Sequence, residues 1–173
     1  MTNPVNTANP IEQVLEALHR ANVRYMVVGG VAVVLHGHLR ATADLDLVIQ
    51  MKTENIMRAV QALQVLGWKP RAPVDAEALA NPRIRRTWVD EKGMTVFSMW
   101  NPSVQTLEVD IFVEEPFDFD EVYERSIPVK LDVTQARVIG LDDLIFLKRQ
   151  AGRLQDLADI EALHDLVDGN DHE

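Results

Sequence analysis

The chain has 173 residues, of which 47% are hydrophobic and 25% are charged, as in ordinary globular domains. It contains no cysteine, which excludes disulfides and zinc–thiolate sites and fits a reducing cytosol. The net charge of −10 argues against general DNA or RNA binding, because sequence-independent binding requires a basic face.

The chain begins with residues 1–9, which we predict to be a flexible lead without the basic and apolar regions of a signal peptide. Residues 10–167 are predicted to form a single domain, followed by a flexible tail over 168–173. The longest apolar run, residues 25–35, is too short to span a membrane and contains a glycine pair. We therefore expect no membrane association and a cytoplasmic location.

The periodicity of apolar residues predicts helices and strands in alternation. Seven helices are expected. The first runs from Pro10 to Asn22, the second over 30–35, and the third from its N-cap Thr53 to Gly67. The others lie over 75–80, near residue 124, over 140–150 and over 154–167. Strands are expected over 25–28, 44–50, 94–100, 107–113, 127–131 and 136–139, with the third and fourth antiparallel. Prolines interrupt residues 68–90, where only the short helix is predicted. This order favours an α/β or α+β fold with a mixed central sheet flanked by helices.

The segment between Gly29 and Asp46 contains the first chemical signal. A strand leads into Gly29-Gly30, which opens a helix and so presents backbone N–H groups to an anion. Asp44 and Asp46 lie two residues apart in the next strand, so their side chains share one face of the sheet. The glycine pair alone could be a tight turn, and the acids alone could be a solvated face. Their succession favours a site for a metal–triphosphate.

The spacing of the two acids gives a physical reason to expect a cation. Side chains two apart on a strand lie roughly 6–7 Å from each other. At an effective dielectric of about 20, two such charges repel by about 2.5 kcal/mol. Oxygen ligands suit Mg²⁺ or Mn²⁺. Asp110, in a later apolar strand where Glu108 shares its face, is the predicted third carboxylate.

These residues resemble the signature of small nucleotidyltransferases of the DNA polymerase β superfamily. That signature is a strand, Gly-Gly or Gly-Ser opening a helix, Asp-x-Asp on the next strand and a third Asp on a later one. More narrowly, VGGVAVVLHG at 28–37 and RATADLD at 40–46 are similar to AbiEii-like abortive-infection toxin nucleotidyltransferases and to uncharacterised minimal nucleotidyltransferase-fold proteins. Residues 143–153, followed by Asp156 and Asp159, resemble the closing helices of the same group. The resemblance covers residues 10–167 and implies a nucleotidyltransferase fold.

The resemblance implies a metal-dependent enzyme. Asp44, Asp46 and Asp110 would be the catalytic residues and the ligands of Mg²⁺ or Mn²⁺, and the N–H groups of Gly29 and Gly30 would cradle the triphosphate of an NTP. Many members of the superfamily have Gly-Ser, whose hydroxyl helps to hold a phosphate. With glycine at position 30, only backbone donors are expected there.

Further nucleotide-binding residues are expected around this motif. Arg40 and Thr42 precede the metal strand and are candidates for contact with phosphate or base. Lys148 is the candidate phosphate cation, with a surface lysine as the equal alternative. Arg153 could also reach the site, although a helix-surface salt bridge with Asp156 is at least as good an interpretation.

The histidines beside the motif and the tryptophans are not expected to take part in the site. His36 and His38 lack companion ligands at zinc spacing, so we expect no zinc site and predict that a hydrogen bond from His36 fixes the loop over 40–44. Trp68, Trp88 and Trp100 are interpreted as core or interface anchors rather than stacking platforms.

The expected reaction moves an NMP from an NTP onto a protein or RNA acceptor, with tRNA among the candidates. The resemblance places it in a toxin–antitoxin or abortive-infection system, with an antitoxin or a second copy of the chain as partner. The alternatives are a catalytically weak binding module with the same fold, or a nucleotide sensor that binds NTP without transferring it.

Overall fold

The computed structural model describes residues 9–170. The helices are α1 (Pro10–Arg20), α2 (Gly29–Leu35), α3 (Thr53–Val65), α4 (Pro82–Lys92), α5 (Phe119–Glu124), α6 (Leu141–Ala151) and α7 (Leu154–Asn170), with a 3-10 helix at Ala76–Ala80. The strands are β1 (Tyr25–Val28), β2 (Asp44–Ile49), β3 (Lys69–Pro70), β4 (Val96–Asn101), β5 (Val104–Phe112), β6 (Ile127–Lys130) and β7 (Gln135–Val138). Along this part of the chain, no helix has both the length and the apolar character that crossing a membrane requires.

The strands form a mixed sheet in the order β3-β4-β5-β2-β1-β7-β6. The pairs β2–β5 and β1–β7 are parallel, whereas β1–β2, β3–β4, β4–β5 and β6–β7 are antiparallel. The predicted fold class and the predicted antiparallel pairing of β4 with β5 are therefore confirmed. Strand β2 lies in the middle of the sheet, between β1 and β5, so residues at its N-terminal end can be reached from both neighbours.

Apolar stripes on the helices account for the core. Val14, Leu15 and Leu18 of α1 are completely buried, and α1 packs against α3. All residues of β1 are buried, as expected for an inner strand with both faces covered. Helix α2 packs on β1 and β2, and α6 packs on α7. This packing fixes the helices and strands that carry most of the predicted site residues.

Helix α4 was not predicted from the sequence, and neither was the two-residue strand β3. Pro82 starts the helix, and the Asn81 side chain accepts hydrogen bonds from the N–H groups of Arg83 and Ile84. Proline is favoured in the first turn of a helix, because the N–H that it lacks has no partner there. The proline that was interpreted as an interruption is therefore a helix start.

The predicted helix ends need small corrections. The N-cap of α3 is Lys52, and Thr53 instead donates a hydrogen bond from its hydroxyl to the carbonyl of Ala80, at 3.4 Å. Helix α7 continues to Asn170, beyond the predicted end of the domain at residue 167. Residues 1–8 of the predicted lead and 171–173 of the predicted tail lie outside the described residues.

Candidate active site

The sheet register brings the predicted acids to one place. In the parallel pair of β2 and β5, Asp44 is opposite Glu108 and Asp46 is opposite Asp110. In the antiparallel pair of β1 and β2, Val28 is opposite Asp46, so the glycine pair begins beside the acids. A cleft of about 630 Å³ opens at this point. Every predicted site residue lines it: Gly29, Gly30, Arg40, Thr42, Asp44, Asp46, Asp110 and Lys148.

Gly29 makes the closest approach of backbone to acid. Its φ of +67° lies in the left-handed region that L side chains rarely adopt. A Cβ built on it would overlap the Oδ2 atom of Asp46. Only glycine satisfies both conditions, so the first glycine of the pair is required to seat the Asp46 carboxylate against the start of α2.

Gly30 lies against the side chains of Arg40 and Thr42. A Cβ built on it would lie 2.7 Å from Nη2 of Arg40 and 3.0 Å from Oγ1 of Thr42. The guanidinium and the hydroxyl therefore fill the space that a side chain at position 30 would need. Both groups are hydrogen-bond donors: the Arg40 guanidinium donates to Asp159 and to the carbonyl of Ala41, and the Thr42 hydroxyl donates to the carbonyl of Asp44.

The acids are electrostatically strained by one another. Burial, followed by the charges of Asp110 and Asp44, raises the pKa of Asp46 to about 6. Burial also raises the pKa of Asp110, although the Ser98 hydroxyl donates a hydrogen bond to its Oδ1 at 2.6 Å, which opposes the rise. Within residues 9–170, the carboxylates of Asp44 and Asp46 make no hydrogen bond or ion pair. A cation between them would relieve this repulsion.

The donor set fits a hard divalent cation in its chemistry. Its oxygens belong to carboxylates, and no basic side chain of the described residues is ion-paired with them. As positioned, however, no group of three His, Asp or Glu side chains among these residues converges closely enough to hold a metal. Asp110 is turned toward Ser98, and Asp46 lies against Gly29. Ligation therefore requires the side chains to turn toward a common point.

Lys148 of α6 also lines the cleft and is only 4% exposed. Its Nζ is 3.3 Å from Oδ1 of Asp156 and 2.8 Å from Oδ2 of Asp159. The alternative of a surface lysine is therefore wrong. A buried cation is held in place by two acids from α7.

The same acids bind the flanking arginines. Arg40 places Nε 3.0 Å from Oδ1 of Asp159 and donates from Nη2 to Oδ2 at 3.1 Å. Arg153 lies 2.8 Å from Asp156, so the predicted salt bridge is confirmed. Burial opposes ionisation of Asp159, but hydrogen bonds from Lys148 and Gln155, with the charges of Lys148 and Arg40, hold its pKa below the usual value.

Asp156 and Asp159 were not predicted as site residues, although their spacing gave a signal. Acids three residues apart on a helix share one face, and here that face is buried against α6. His36 differs from its prediction: its Nε2 lies 2.8 Å from the carbonyl oxygen of Ile139 and so ties α2 to the end of β7, not to the loop over 40–44. Trp68 and Trp88 are buried in the core, as predicted.

Comparison with known proteins supports a nucleotidyltransferase fold. A family model described as "Nucleotidyltransferase of unknown function (DUF6036)" matches residues 6–171. No curated protein matches the sequence. Among solved structures, the chain is similar to the lincosamide antibiotic adenylyltransferase LnuA with lincomycin bound, at 15% identity and a TM-score of 0.60, covering 90% of this chain and 95% of that one.

Two further structures share the architecture. The antibiotic-resistance factor ANT(2'')-Ia, determined in solution, has 14% identity and a TM-score of 0.58, with 88% of this chain and 80% of that one covered. An antigenic nucleotidyltransferase-like protein from Paracoccidioides brasiliensis has 17% identity and a TM-score of 0.55, with 91% and 77% covered. At these identities the similarity establishes the fold.

Proposed function

The chain belongs to the nucleotidyltransferase family of unknown function DUF6036, and from this premise we propose that it transfers a nucleoside monophosphate from an NTP to a hydroxyl acceptor, with Mg²⁺ or Mn²⁺. One observation carries the proposal. A single cleft contains three acids from β2 and β5, the glycine pair of α2 and the cations held by α7.

In the proposed reaction, the acceptor hydroxyl oxygen forms a bond to the α-phosphorus of the NTP. The bond from that phosphorus to the bridging oxygen of the β-phosphate breaks, and pyrophosphate leaves. The proton of the hydroxyl passes to a carboxylate oxygen of Asp110, which acts as the general base. When bound to Asp44, Asp46 and Asp110, the metal would supply charge neutralisation on the phosphates and on the developing transition state.

The cationic wall supports the assignment of the triphosphate to this cleft. Arg40, Lys148 and Arg153 carry three positive charges against the two negative charges of Asp156 and Asp159, which leaves one net positive charge. This cluster lines the same cleft as Asp44, Asp46 and Asp110, which form no ion pair within residues 9–170. A polyphosphate bridged to the acids by a divalent cation complements both groups.

The acceptor and the biological setting rest on the resemblance alone. The similarity of residues 28–46 to AbiEii-like proteins supports a protein side chain or an RNA end as acceptor, within a toxin–antitoxin or abortive-infection system. An antitoxin or a second copy of the chain would then be the partner. The fold also serves small acceptors elsewhere, as the lincosamide adenylyltransferase indicates by its name.

Calorimetric titration of the full chain with Mg²⁺ and each of the four NTPs tests the binding half of the proposal. We expect metal-dependent binding of at least one NTP, and its loss on Asp46→Asn, which removes the charge but keeps the size. Asp168→Asn is the matched control, because Asp168 is exposed on α7, away from the cleft. Binding that is absent, or that is the same in the Asp46 variant, would contradict the proposal.

Transfer is tested separately with α-³²P-labelled NTPs and a cell lysate. A labelled product and pyrophosphate release support transfer. Binding without either one would favour the alternatives, a nucleotide sensor or a catalytically weak binding module with the same fold.

A further inference from the structure

A second cleft, of about 370 Å³, lies beside the first and shares Ala43 and Asp44 with it. Its remaining wall comes from β4, β5 and the residue that follows β3, and it includes Arg71, Trp100 and Glu108. Of the predicted site residues, only Asp44 belongs to it. The two clefts therefore meet at Asp44.

The first cleft runs from the glycine pair across the acids to Thr95 and Val96, whereas the second contains no residue of β1 or α2 and lies toward β4. Along the sheet, β1 is followed by β2, β5 and β4. The glycine pair follows β1 and Trp100 is on β4, while the acids are on β2 and β5 between them. In phosphoryl transfer, the attacking and leaving oxygens lie roughly in line across the phosphorus. With the triphosphate on the β1 side, the acceptor enters from the β4 side, where the second cleft lies.

The side chains of this cleft form a defined recognition group. The guanidinium carbon of Arg71 lies 5.2 Å from the ring centroid of Trp100. Its Nε donates a hydrogen bond to Oε1 of Glu108 at 3.0 Å. The Arg71 side chain is 57% exposed, and its two Nη groups make no hydrogen bond within residues 9–170. Arg71 and Glu108 thus present donors and an acceptor side by side, which matches neighbouring hydroxyl groups.

Size and charge narrow the ligand. The volume lies near the lower end of small-molecule pockets, about 300–1,000 Å³, and admits one or two rings. The charge of Arg71 is matched by Glu108, so Asp44 leaves the cleft net negative. The whole chain carries −10. A polyanion such as RNA is therefore disfavoured.

We propose that the second cleft binds the acceptor, and that the acceptor is a small ring compound carrying hydroxyl groups, either uncharged or cationic. This inference rests on the proposed nucleotide transfer, and it assigns a small-molecule acceptor in place of the protein or RNA acceptor that the resemblance alone supports. The hydroxyl of this compound makes the bond to the α-phosphorus as pyrophosphate leaves. Arg71 and Glu108 position the ring, with Trp100 as the apolar wall.

The test uses the full chain with Mg²⁺, α-³²P-labelled NTP and three acceptor pools. These are an ultrafiltered low-molecular-mass lysate fraction, a desalted protein fraction and purified total RNA. Methyl glucoside and 2-deoxystreptamine serve as defined neutral and cationic probes, and glucose 6-phosphate serves as the anionic one. We expect the low-mass pool to give a labelled small product and pyrophosphate, and the neutral or cationic probe to compete better than the anionic one.

Arg71→Ala tests the site itself. It should raise the apparent KM for the low-mass pool by about ten-fold or more while the Kd for Mg²⁺–NTP stays within about two-fold, because Arg71 is outside the nucleotide cleft. Arg86→Ala is the matched control. Arg86 is also an exposed arginine, paired with Asp90 and Glu114 on the surface. Circular dichroism establishes that both variants fold.

The outcomes separate the two proposals. If the wild type does not bind Mg²⁺–NTP, the proposed transfer itself is wrong. If it binds NTP but only the protein pool or the RNA pool is labelled, or no pool is labelled, the assignment of a small acceptor is wrong. If the low-mass pool is labelled equally by wild type and Arg71→Ala, the second cleft is not the acceptor site.

Discussion

Replacing Gly30 by serine introduces the residue that many polymerase β-like enzymes carry at this position. We expect this change to lower both the stability of the chain and its affinity for Mg²⁺–NTP. A Cβ at position 30 would lie 2.7 Å from Nη2 of Arg40 and 3.0 Å from Oγ1 of Thr42. Both distances are too short for ordinary contact, so the Arg40 guanidinium must move.

Moving the Arg40 guanidinium costs free energy, because it would lengthen or break the ion pair and the hydrogen bond to Asp159. The Asp159 carboxylate is 1% exposed and the Arg40 side chain is 22% exposed. A hydrogen bond to a charged group contributes about 1.5–3 kcal/mol, and overpacking of a filled site costs about 1–3 kcal/mol. We therefore expect Gly30→Ser to lower the free energy of unfolding by about 1–3 kcal/mol and to reduce Mg²⁺–NTP affinity about ten-fold.

Urea denaturation and calorimetric titration measure the two effects. Gly169→Ser is the matched control, since a Cβ at Gly169 meets no atom within 4 Å. The double variant Gly30→Ser/Arg40→Ala should recover part of the stability lost by the single serine variant, because it removes the clash. If Gly30→Ser is as stable as the wild type and binds NTP more tightly, the argument from the Arg40 position is refuted.

Three further outcomes are expected. Gly29→Ala should destabilise the chain by more than about 2 kcal/mol and abolish NTP binding, since the new Cβ would overlap Asp46 at a positive φ; urea denaturation and titration check this. Because the pKa of Asp46 is raised to about 6 from 3.8, its ionisation should cost the metal-free chain stability as the pH rises from 3.8 through about 6, and Mg²⁺ affinity should fall as the pH drops below about 6; in urea denaturation and Mg²⁺ titration across this range, Asp46→Asn should reduce both trends and leave the part that Asp110 contributes. Asp159→Asn should cost about 3–5 kcal/mol in thermal or urea unfolding, because it leaves buried Lys148 without its closest partner, whereas an unchanged midpoint would contradict the structural role.

The strand–glycine–helix unit and the acids were predictable because their signals are local. The apolar residues of β1 end at the glycine pair, and the alternation in β2 places Asp44 and Asp46 on one face. That Asp110 joins them depends on β5 pairing with β2 in parallel. Its place between apolar residues of a later strand was the signal.

Local sequence patterns gave the wrong prediction where one residue type is compatible with two local structures. Pro82 breaks a helix from within but favours its first turn, and the capping side chain of Asn81 decides between them. Thr53 had the side chain of an N-cap, yet its hydroxyl binds the carbonyl of Ala80, which the fold brings near. In both cases a neighbouring group, the Asn81 side chain or the Ala80 carbonyl, decides which role the residue takes.

The ion pairs that hold the cationic wall in place could not be predicted, because they join residues far apart in the sequence. Arg40 and Asp159 are 119 positions apart, and their meeting requires α7 to pack beside the loop that precedes β2. Once they meet, the guanidinium fills the space over position 30, and a side chain there becomes unfavourable. Glycine at this position was interpreted as the loss of a phosphate donor. In the structure, glycine leaves room for the Arg40 guanidinium and the Thr42 hydroxyl, which lie where the side chain of that donor would be. Positions 30 and 40 should therefore change together: a chain with serine at position 30 requires a smaller residue at position 40.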